Sequence, residues 1–314
     1  MSAMADTGSV SAVIVHYRTP EQTVCAARAV AETAPAARIV VVDNASGDVV
    51  GRRLAAEVPR ARVLTEQRNR GYGAACNRGA RETEGEYFLF LNSDTAVARD
   101  AVHVLVAALE ASPGAAAAGP RLVNPDGSLQ PSIQRLPTPW RIFCESSGLA
   151  ALAGGRGFLR GHTKTREDHG RPHEVTALKG AALLVLRSAF EEIGGFDEDF
   201  FLYGEEADLF ARLSSRGYRI LYEPRAEVAH LGGGSGGDAL FAQLHAGLQL
   251  YVAKHHGRAA ARFTGIVLAL GAAARWALAF VTPGEAGRRR RLRYRAALLG
   301  FRRAKNQERR DSTK

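Results

Sequence analysis

Short apolar runs that alternate with helical stretches, and that stop on polar clusters, most constrain what this chain can fold into. Ala12 to His16 (AVIVH), Arg38 to Asp43 (RIVVVD), Ala61 to Leu64 (ARVL) and Glu86 to Leu91 (EYFLFL) read as strands. Between them Glu21 to Thr33, Val49 to Glu57 and residues 73–84 carry helical pattern. Strands that are apolar on both faces must be covered on both, and a largely parallel sheet flanked by helices does this. The expectation is an α/β chain with a central, mostly parallel, twisted sheet.

In sheets of that kind ligands bind beyond the carboxyl ends of the strands. Three strands end in His16-Tyr17-Arg18, Asp43-Asn44-Ala45-Ser46 and Asn92-Ser93-Asp94. One polar strand end is a loop; three on the same edge make a site. The second half is less regular. TALKGAALLVL (Thr176 to Leu186), YRILYEP (Tyr218 to Pro224) and AEVAHL (Ala226 to Leu231) read as strands, and SAFEEIG (Ser188 to Gly194) as a short helix. Residues 124–175, rich in Pro, Gly and Arg, suit a mobile or substrate-covering segment. Residues 239–282 read as helix.

Composition removes several classes. Of 314 residues, 46% are hydrophobic and 24% charged, a globular balance. Cys25, Cys76 and Cys144 are widely spaced and form no CxxC pair, which argues against disulfide or zinc frameworks and for a reduced, cytosolic setting. The start, MSAMADTGSV, has neither a basic nor an apolar region, so no signal peptide is expected. The net charge of +10 lies wholly in residues 288–314, which hold 12 Lys/Arg and 2 Asp/Glu. Such a tail, beginning RRRRLRYR, suits an anionic membrane surface or is simply a solvated terminus. It carries just two aromatics, Tyr294 and Phe301, and no recognised nucleic-acid motif, so no nucleic-acid partner is expected. Before it, Gly265 to Val281 is apolar but, at 17 residues with Arg275 inside, at the short limit for a membrane span. It reads as a helix on a membrane or packed on the protein.

Five segments carry chemistry. In VVVDNASGD, Asp43 either caps a turn with Asn44 and Ser46 or accepts hydrogen bonds from a base or ribose. In RNRGYGAACNRGA, Gly71 and Gly73 permit close backbone approach, and Asn69, Asn77 and Arg78 offer donors near a helix start. In FLFLNSDT, Asp94 ends a strand either as part of an Asx turn or as a ligand for Mg²⁺ or Mn²⁺ bridging to diphosphate. FFLYGEEADLFARL places Glu205, Glu206 and Asp208 in the first turn of a helix, where acids suit the macrodipole. There Asp208 can pair with Arg212, and Glu206 points about 100° away from Glu205. HLGGGS sets His230 beside a glycine loop, as a structural histidine or a second metal ligand.

In this order the segments resemble family 2 glycosyltransferases of the GT-A fold, over about residues 10–235. The similarity is greatest to the bacterial rhamnosyltransferase-like branch acting on polyprenyl-diphosphate-linked sugars. GPRLVNPDGSLQPS (Gly119 to Ser132) and KGAALLVLRSAFEEIGGFDEDFF (Lys179 to Phe201) also resemble that branch. The resemblance implies that Asp43 contacts the nucleobase and that His16, Asn44, Asn69, Gly71, Asn77, Asn92 and Ser93 line the nucleotide-sugar. It implies that Asp94 and His230 hold a divalent cation, with Asn92 departing from a strict DxD motif. Glu205-Glu206 matches the ED pair, whose second acid, here Glu206, is implied as the catalytic base, with the assignment between Glu205 and Glu206 left open. Gly180, Tyr203 and Asp208 fall on the acceptor side.

The resemblance further implies an inverting transfer from a dTDP- or UDP-linked sugar, rhamnose first, to a glycan or polyprenyl-diphosphate-linked acceptor in cell-wall or polysaccharide synthesis. The enzyme would be cytoplasmic and peripheral on the inner face of the plasma membrane. The expected organisation is a flexible 1–9, a catalytic domain over 10–235 (nucleotide-sugar half 10–123, acceptor half 124–235), a helical region over 236–287 and a basic tail over 288–314. Galactofuranosyl or other hexosyl transfer is the alternative on the same fold. A sugar-nucleotide-forming nucleotidyltransferase is another, against which VIVHYRTPEQT (Val13 to Thr23) lacks a Gly-rich, basic signature.

Overall fold

The computed structural model describes residues 9–163, 167–232, 238–281 and, beyond these, 284–285, 287–292, 294–295 and 298. The expected flexible start up to residue 8, the last glycines of HLGGGS and most of the basic tail lie outside the described residues. The chain forms two compact units. The first comprises Met1–Gln134, Glu167–Asp199 and Glu205–Ser235; the second comprises Arg135–Arg166, Phe200–Gly204 and Gly236–Lys314.

The first unit is built on β1 (Val10–His16), α1 (Pro20–Thr33), β2 (Arg38–Asp43), α2 (Val50–Glu57), β3 (Ala61–Thr65), α3 (Tyr72–Arg81) and β4 (Tyr87–Asn92). It continues through β5 (Thr95–Val97), α4 (Ala101–Glu110), β6 (Ala115–Val123), β7 (Leu129–Gln130) and β8 (Ile133–Gln134). After the chain returns come β9 (His173–Val175), β10 (Ala177–Leu178), β11 (Ala182–Leu186), α7 (Arg187–Glu192), α8 (Glu205–Ser215) and β12 (Arg219–His230). The main sheet runs β3-β2-β1-β4-β11-β6-β12-β5, with β7 on β6 and β9 on β12. β3, β2, β1 and β4 are parallel, as are β6 and β12, while β11 is antiparallel to both its neighbours. β8 and β10 pair separately.

The apolar runs explain this order. Val13, Ile14, Val41, Val42 and Leu91 are fully buried, so β1, β2 and β4 have no solvent face to offer. A second packing centre joins β4 to α7 and to the segment after it. Phe88 and Phe190 lie 5.4 Å apart, and Phe90 and Phe196 5.1 Å, both edge to face. Such pairs add about 0.5–1.5 kcal/mol beyond their burial.

Two expected elements differ. Thr176 to Leu186 is not one strand: Lys179 to Ala181 turn the chain between β10 and β11, and the Lys179 N–H goes to Ser132 O instead. The two expected strands from Tyr218 to Leu231 are a single β12, whose register on β6 jumps between Glu223 and Glu227 at Pro224. Proline has no N–H for the ladder, so the strand bulges there and does not end.

The second unit holds α5 (Pro139–Ser147), α6 (Leu149–Leu152), α9 (Asp238–His256) and α10 (Arg258–Leu278). Thr138 caps α5 by accepting from Arg141 N, with Pro139 in the first turn. The expected long helix is split at Gly257, whose φ of 88° ends α9. α10 packs against α9 and α5. Arg275 reaches Glu145 O at 3.2 Å, and the Glu145 carboxylate accepts from His162 N and Thr163 N. Burial alone would push the Glu145 carboxyl up, but His162 and Thr163 pull it down to about 2.

Candidate functional site

The register decides the first part of the site. His16 lies opposite Asp43 and Val15 opposite Asn92, so the three polar strand ends share one edge. Not every residue there faces outward. His16 is fully buried, with Nδ1 2.7 Å from Thr23 Oγ1 and Nε2 2.9 Å from Asp48 Oδ2. Its ring is consumed in holding α1 and the turn after β2, beneath the edge where the sequence had placed a ligand contact. The Asp43 carboxylate accepts from Ser46 N at 2.9 Å, and Ala45 takes a positive φ of 63°.

Asn44 Nδ2 donates to Asn69 Oδ1 and to Gly71 O, each at 3.0 Å, while its Oδ1 accepts from Arg70 N. Asn69 Oδ1 also accepts from Gly71 N at 2.9 Å. The two asparagines therefore latch the loop before α3 onto the end of β2. Asn77 exchanges both amide bonds with Phe196, donating at 2.8 Å and accepting at 2.9 Å. These residues build the rim; they support it more than they project from it. Beside them opens a cavity of about 490 Å³, bordered by Asp43, Asp48, Arg52, Thr65, Glu66 and Gln67. That size falls in the usual range for small-molecule sites.

The second part is set by β5 on β12. His230 pairs with Thr95, which brings His230 Nε2 to 3.4 Å from Asp94 Oδ1. Burial works to raise the Asp94 carboxyl, but His230 and the main-chain N–H groups of Asp94 and Gly232 hold it below the usual range. Ser93 Oγ meets Thr19 Oγ1 at 2.8 Å, and Asn92 O accepts from Thr95 Oγ1 at 2.7 Å, so the Asn92-Ser93-Asp94 turn is tied on both sides.

Behind His230 sits Gln130, which the sequence did not single out. Its Nε2 donates to Asn124 Oδ1 at 2.9 Å and to His230 O at 3.2 Å. Its Oε1 therefore faces His230 Nδ1 at 2.6 Å and Lys179 Nζ at 3.0 Å, and accepts from both. With Nδ1 donating to Gln130, Nε2 faces the Asp94 carboxylate and donates to it when the ring is protonated; a divalent cation between the two would take the place of that proton. Among the described residues no three His, Cys, Asp or Glu side chains converge, so this pair would need substrate oxygens and water to complete a shell. Mg²⁺ sites are commonly of that kind.

The third part is the acid pair opening α8. Glu205 is buried, and its Oε2 has no hydrogen-bond partner among the described residues. Burial first, and then the neighbouring Glu206, push its carboxyl well above the ordinary range. It faces Tyr72 and Cys76, whose side chains bond each other and are themselves raised chiefly by burial. Glu206 is half-buried and packs over Gly180, where an added Cβ would lie 3.4 Å from the Glu206 Cβ. Its charge is felt by Lys179, whose ammonium is held below its ordinary value by burial, against the opposing pull of Asp94 and Glu206. Asp208 is fully buried against Arg212 Nε at 2.7 Å, and Arg212 also donates to Ile193 O at 2.8 Å. Asp208 thus fastens α8 to the end of α7.

The first unit therefore gathers Asp94, His230, Gln130, Lys179, Gly180 and Glu206. Tyr203, expected beside the acids, belongs to the second unit and carries a φ of 68°. Lys179 stood in the quoted sequence beside Gly180, but nothing local marks its ammonium. Gln130 likewise stood in the quoted GPRLVNPDGSLQPS, where nothing local marks its amide.

Residues 11–194 match the family model of glycosyl transferase family 2. The chain belongs to that family. A model described as the N-terminal domain of galactosyltransferase also matches this family 2 chain, over residues 161–231. It is 34% identical over 206 residues to an N-acetylglucosaminyl-diphospho-decaprenol L-rhamnosyltransferase of Mycobacterium tuberculosis, covering 61% of this chain and 66% of that relative. It is 29% identical over 162 residues to a poly-β-1,6-N-acetyl-D-glucosamine synthase of Staphylococcus aureus, covering 51% of this chain and 34% of the relative. Its fold is similar to that of the mannosyltransferase PcManGT from Pyrobaculum calidifontis, solved with GDP-Man and Mn²⁺. There the TM-score is 0.56 at 18% identity, over 93% of this chain and 85% of that one. GalNAc-T7, solved with UDP, GalNAc and Mn²⁺, gives 0.55 at 17% identity, over 79% and 51%. The GT-A-type fold of this family 2 chain follows from those likenesses.

Proposed function

We propose that this family 2 chain is an inverting glycosyltransferase that moves a sugar, rhamnose first, from a nucleoside diphosphate to a hydroxyl of a polyprenyl-diphosphate-linked acceptor. The observation that carries the reading is the placement of Glu206. It is the accessible acid of its pair, it lies over Gly180, and its charge reaches Lys179, which shares Gln130 with His230 opposite Asp94. A proton acceptor and a cation-binding pair thus belong to one cluster. The mycobacterial relative's name supports the sugar and the lipid-linked acceptor.

The chemistry is a single displacement. Glu206 takes the proton of the acceptor hydroxyl as its oxygen bonds to the anomeric carbon. The bond from that carbon to the diphosphate breaks with its electron pair on the leaving group. A positioned base contributes about 10²–10⁴-fold. A divalent cation, Mg²⁺ or Mn²⁺, held by Asp94 and His230 would neutralise the departing diphosphate when bound. Lys179 adds fixed positive charge nearby. Burial, and then Glu206, raise the Glu205 carboxyl, which favours its uncharged form beside Glu206. Asp43 and the adjoining cavity are assigned to the nucleoside, UDP- or dTDP-linked.

Peripheral attachment to the anionic inner face of the plasma membrane completes the reading. Phe263, Ile266, Leu270, Leu278 and Phe280 are exposed along and just after α10. This helix is long and apolar enough to cross a membrane by length and composition, with 22% of its most apolar window buried. Arg291 stacks 5.1 Å from the Phe280 ring, placing basic charge at the apolar end. The galactosyltransferase-model match favours hexosyl or galactofuranosyl transfer as the second reading.

The test is sugar transfer from dTDP-rhamnose and a panel of UDP-sugars to a short-chain N-acetylglucosaminyl-diphospho-prenol, by wild type and Glu206→Gln. The expected outcome is transfer from one donor, a loss of about 10²–10⁴-fold in the variant, and unchanged nucleoside-diphosphate binding. Full activity in Glu206→Gln would remove it as the base.

A further inference from the structure

His169 is buried in the first unit, and both of its ring nitrogens are spent on backbone. Nδ1 lies 2.9 Å from Glu167 O, a carbonyl that can only accept, so Nδ1 carries the proton. Nε2 lies 3.3 Å from Ser132 N and 3.5 Å from Ile133 N, which can only donate, so Nε2 is bare. The surroundings therefore select one neutral tautomer. A second proton on the ring would set N–H against N–H at a buried position.

What the ring holds leads to the transfer site. Ser132 N goes to His169, and Ser132 O accepts from Lys179 N at 2.8 Å. Two residues before Ser132 is Gln130, whose Oε1 is shared by Lys179 Nζ at 3.0 Å and His230 Nδ1 at 2.6 Å. One imidazole thus anchors the backbone from which both Gln130 and Lys179 are placed. That backbone needs an anchor, because β7 and β8 have two residues each and strands so short hold a register weakly. β8 is also the last stretch before the chain leaves the first unit, and His169 lies where the chain has just returned, after Glu167. The ring ties the two ends of that excursion together.

Charged and titratable groups face the ring from each element packed on it. Arg121 of β6 donates to His169 O at 3.4 Å. Tyr222 of β12 donates to the same oxygen at 3.3 Å, and its ring stands edge-on to the imidazole at 5.4 Å. His173, at the start of β9, meets that tyrosine ring at 5.7 Å. Asp168 is the adjacent acid, engaged by Gly170 N at 2.8 Å and Arg171 Nε at 2.7 Å. Burial foremost, with the charges of Arg121 and His173, holds the ring below the ordinary histidine value, against the opposing pull of the Glu167 carbonyl and Asp168. The neutral ring is therefore favoured in the folded chain at neutral pH, and that advantage is lost as pH falls through the lowered value.

We infer that His169 is a positioning residue for transfer: its neutral ring fixes Ser132 and Ile133, and so Gln130 and Lys179, and releases them when a second proton arrives. The importance of Gln130 and Lys179 rests on the proposed function, whereas the latch is a property of the chain without substrate. His169 acts through Ser132 and not on donor or acceptor.

The test measures hydrogen-exchange protection of the Ser132 and Ile133 amides in the full chain without ligands, from pH 8 to pH 4, beside sugar transfer over the same range. His169→Phe keeps an aromatic ring against Tyr222 and removes both bonds. Its protection at these amides should fall about 10-fold at pH 8, and its kcat about 10- to 100-fold. His169→Gln offers an amide oxygen to the same N–H groups and cannot take up a proton. It should restore most of the protection and the rate at pH 8. It should also keep protection at acid pH where wild type loses it, so that its rate relative to wild type climbs as pH falls. His173→Gln should titrate as wild type does. Equal protection in wild type and His169→Phe overturns the latch. So does an acid loss of protection that persists in His169→Gln or disappears in His173→Gln. Should His169→Phe not fold, the comparison of wild type with His169→Gln decides alone. Lost protection in His169→Phe with transfer at the wild-type rate overturns the positioning role. A wild type that shows this protection pattern and transfers no sugar from any donor supports the latch and overturns the proposed function instead.

Discussion

His230 and Gln130 grip each other twice: Nδ1 of the histidine meets Oε1 of the glutamine at 2.6 Å, and the glutamine Nε2 returns to the histidine carbonyl at 3.2 Å. The second bond fixes which way the amide points, and the amide fixes which imidazole nitrogen faces Asp94. Partners of this kind typically govern metal affinity by 10–100-fold. Gln130→Leu should therefore weaken Mn²⁺ binding in the presence of UDP by about 10–100-fold, read by electron paramagnetic resonance of free Mn²⁺. Gln130→Glu keeps an acceptor toward Nδ1 and should restore much of the affinity. Equal Mn²⁺ affinity in all three proteins would show that the histidine needs no such orientation.

Glu205 gives a pH signature. Its carboxyl is raised in the folded chain by burial and by Glu206, so between the ordinary glutamate value and the raised one the folded state holds a proton that the unfolded state has lost. The native state is favoured by this group at acid pH and loses that advantage as pH rises. Glu205→Gln removes the proton and keeps the shape. Its melting temperature relative to wild type should climb from pH 4 to pH 8. A constant difference across that range would mean the carboxyl titrates normally.

Gly247, on α9, lies directly against the Tyr203 carbonyl in the second unit. A Cβ there would overlap the carbonyl oxygen and come within 2.9 Å of its carbon. Gly→Ala in a helix interior otherwise gains about 1 kcal/mol, whereas overpacking costs about 1–3 kcal/mol. Because the obstacle is backbone, the clash should win. Gly247→Ala should unfold at lower urea and, since Tyr203 leads through Gly204 into the acid pair, transfer sugar more slowly. A more stable Gly247→Ala would show that the helix shifts freely.

Asp208 and Arg212 make a buried pair 2.7 Å apart, with the carboxylate fully shielded. Removing one partner of such a pair costs about 3–5 kcal/mol. Asp208→Asn should show that loss in urea unfolding, with UDP binding retained by the folded fraction. A loss below about 1 kcal/mol, the level of a surface pair, would place this bridge in effective contact with solvent.

Local pattern alone determined much of this protein. Apolar runs located β1, β2 and β4, because two-sided burial leaves its mark on consecutive residues, whereas the edge strand β3 buries Leu64 alone. The spacing in GEEADLFAR paired Asp208 with Arg212 and turned Glu206 away from Glu205, since helical geometry is set by neighbours. Pattern could not foresee that Thr176 to Leu186 would break at Lys179, or that Pro224 would bulge a strand and not end it. Those outcomes hang on Ser132 and on the β6 ladder, far along the chain. Sequence pattern favoured Glu206 of the two glutamates, but only the fold could bury Glu205 and leave Glu206 half-buried over Gly180. Gln130, Lys179 and His230 are up to a hundred positions apart and share no local signature. Only the folded backbone could bring one amide between an imidazole and an ammonium, because hydrogen bonds of that range are satisfied by tertiary approach and by nothing the neighbouring residues encode.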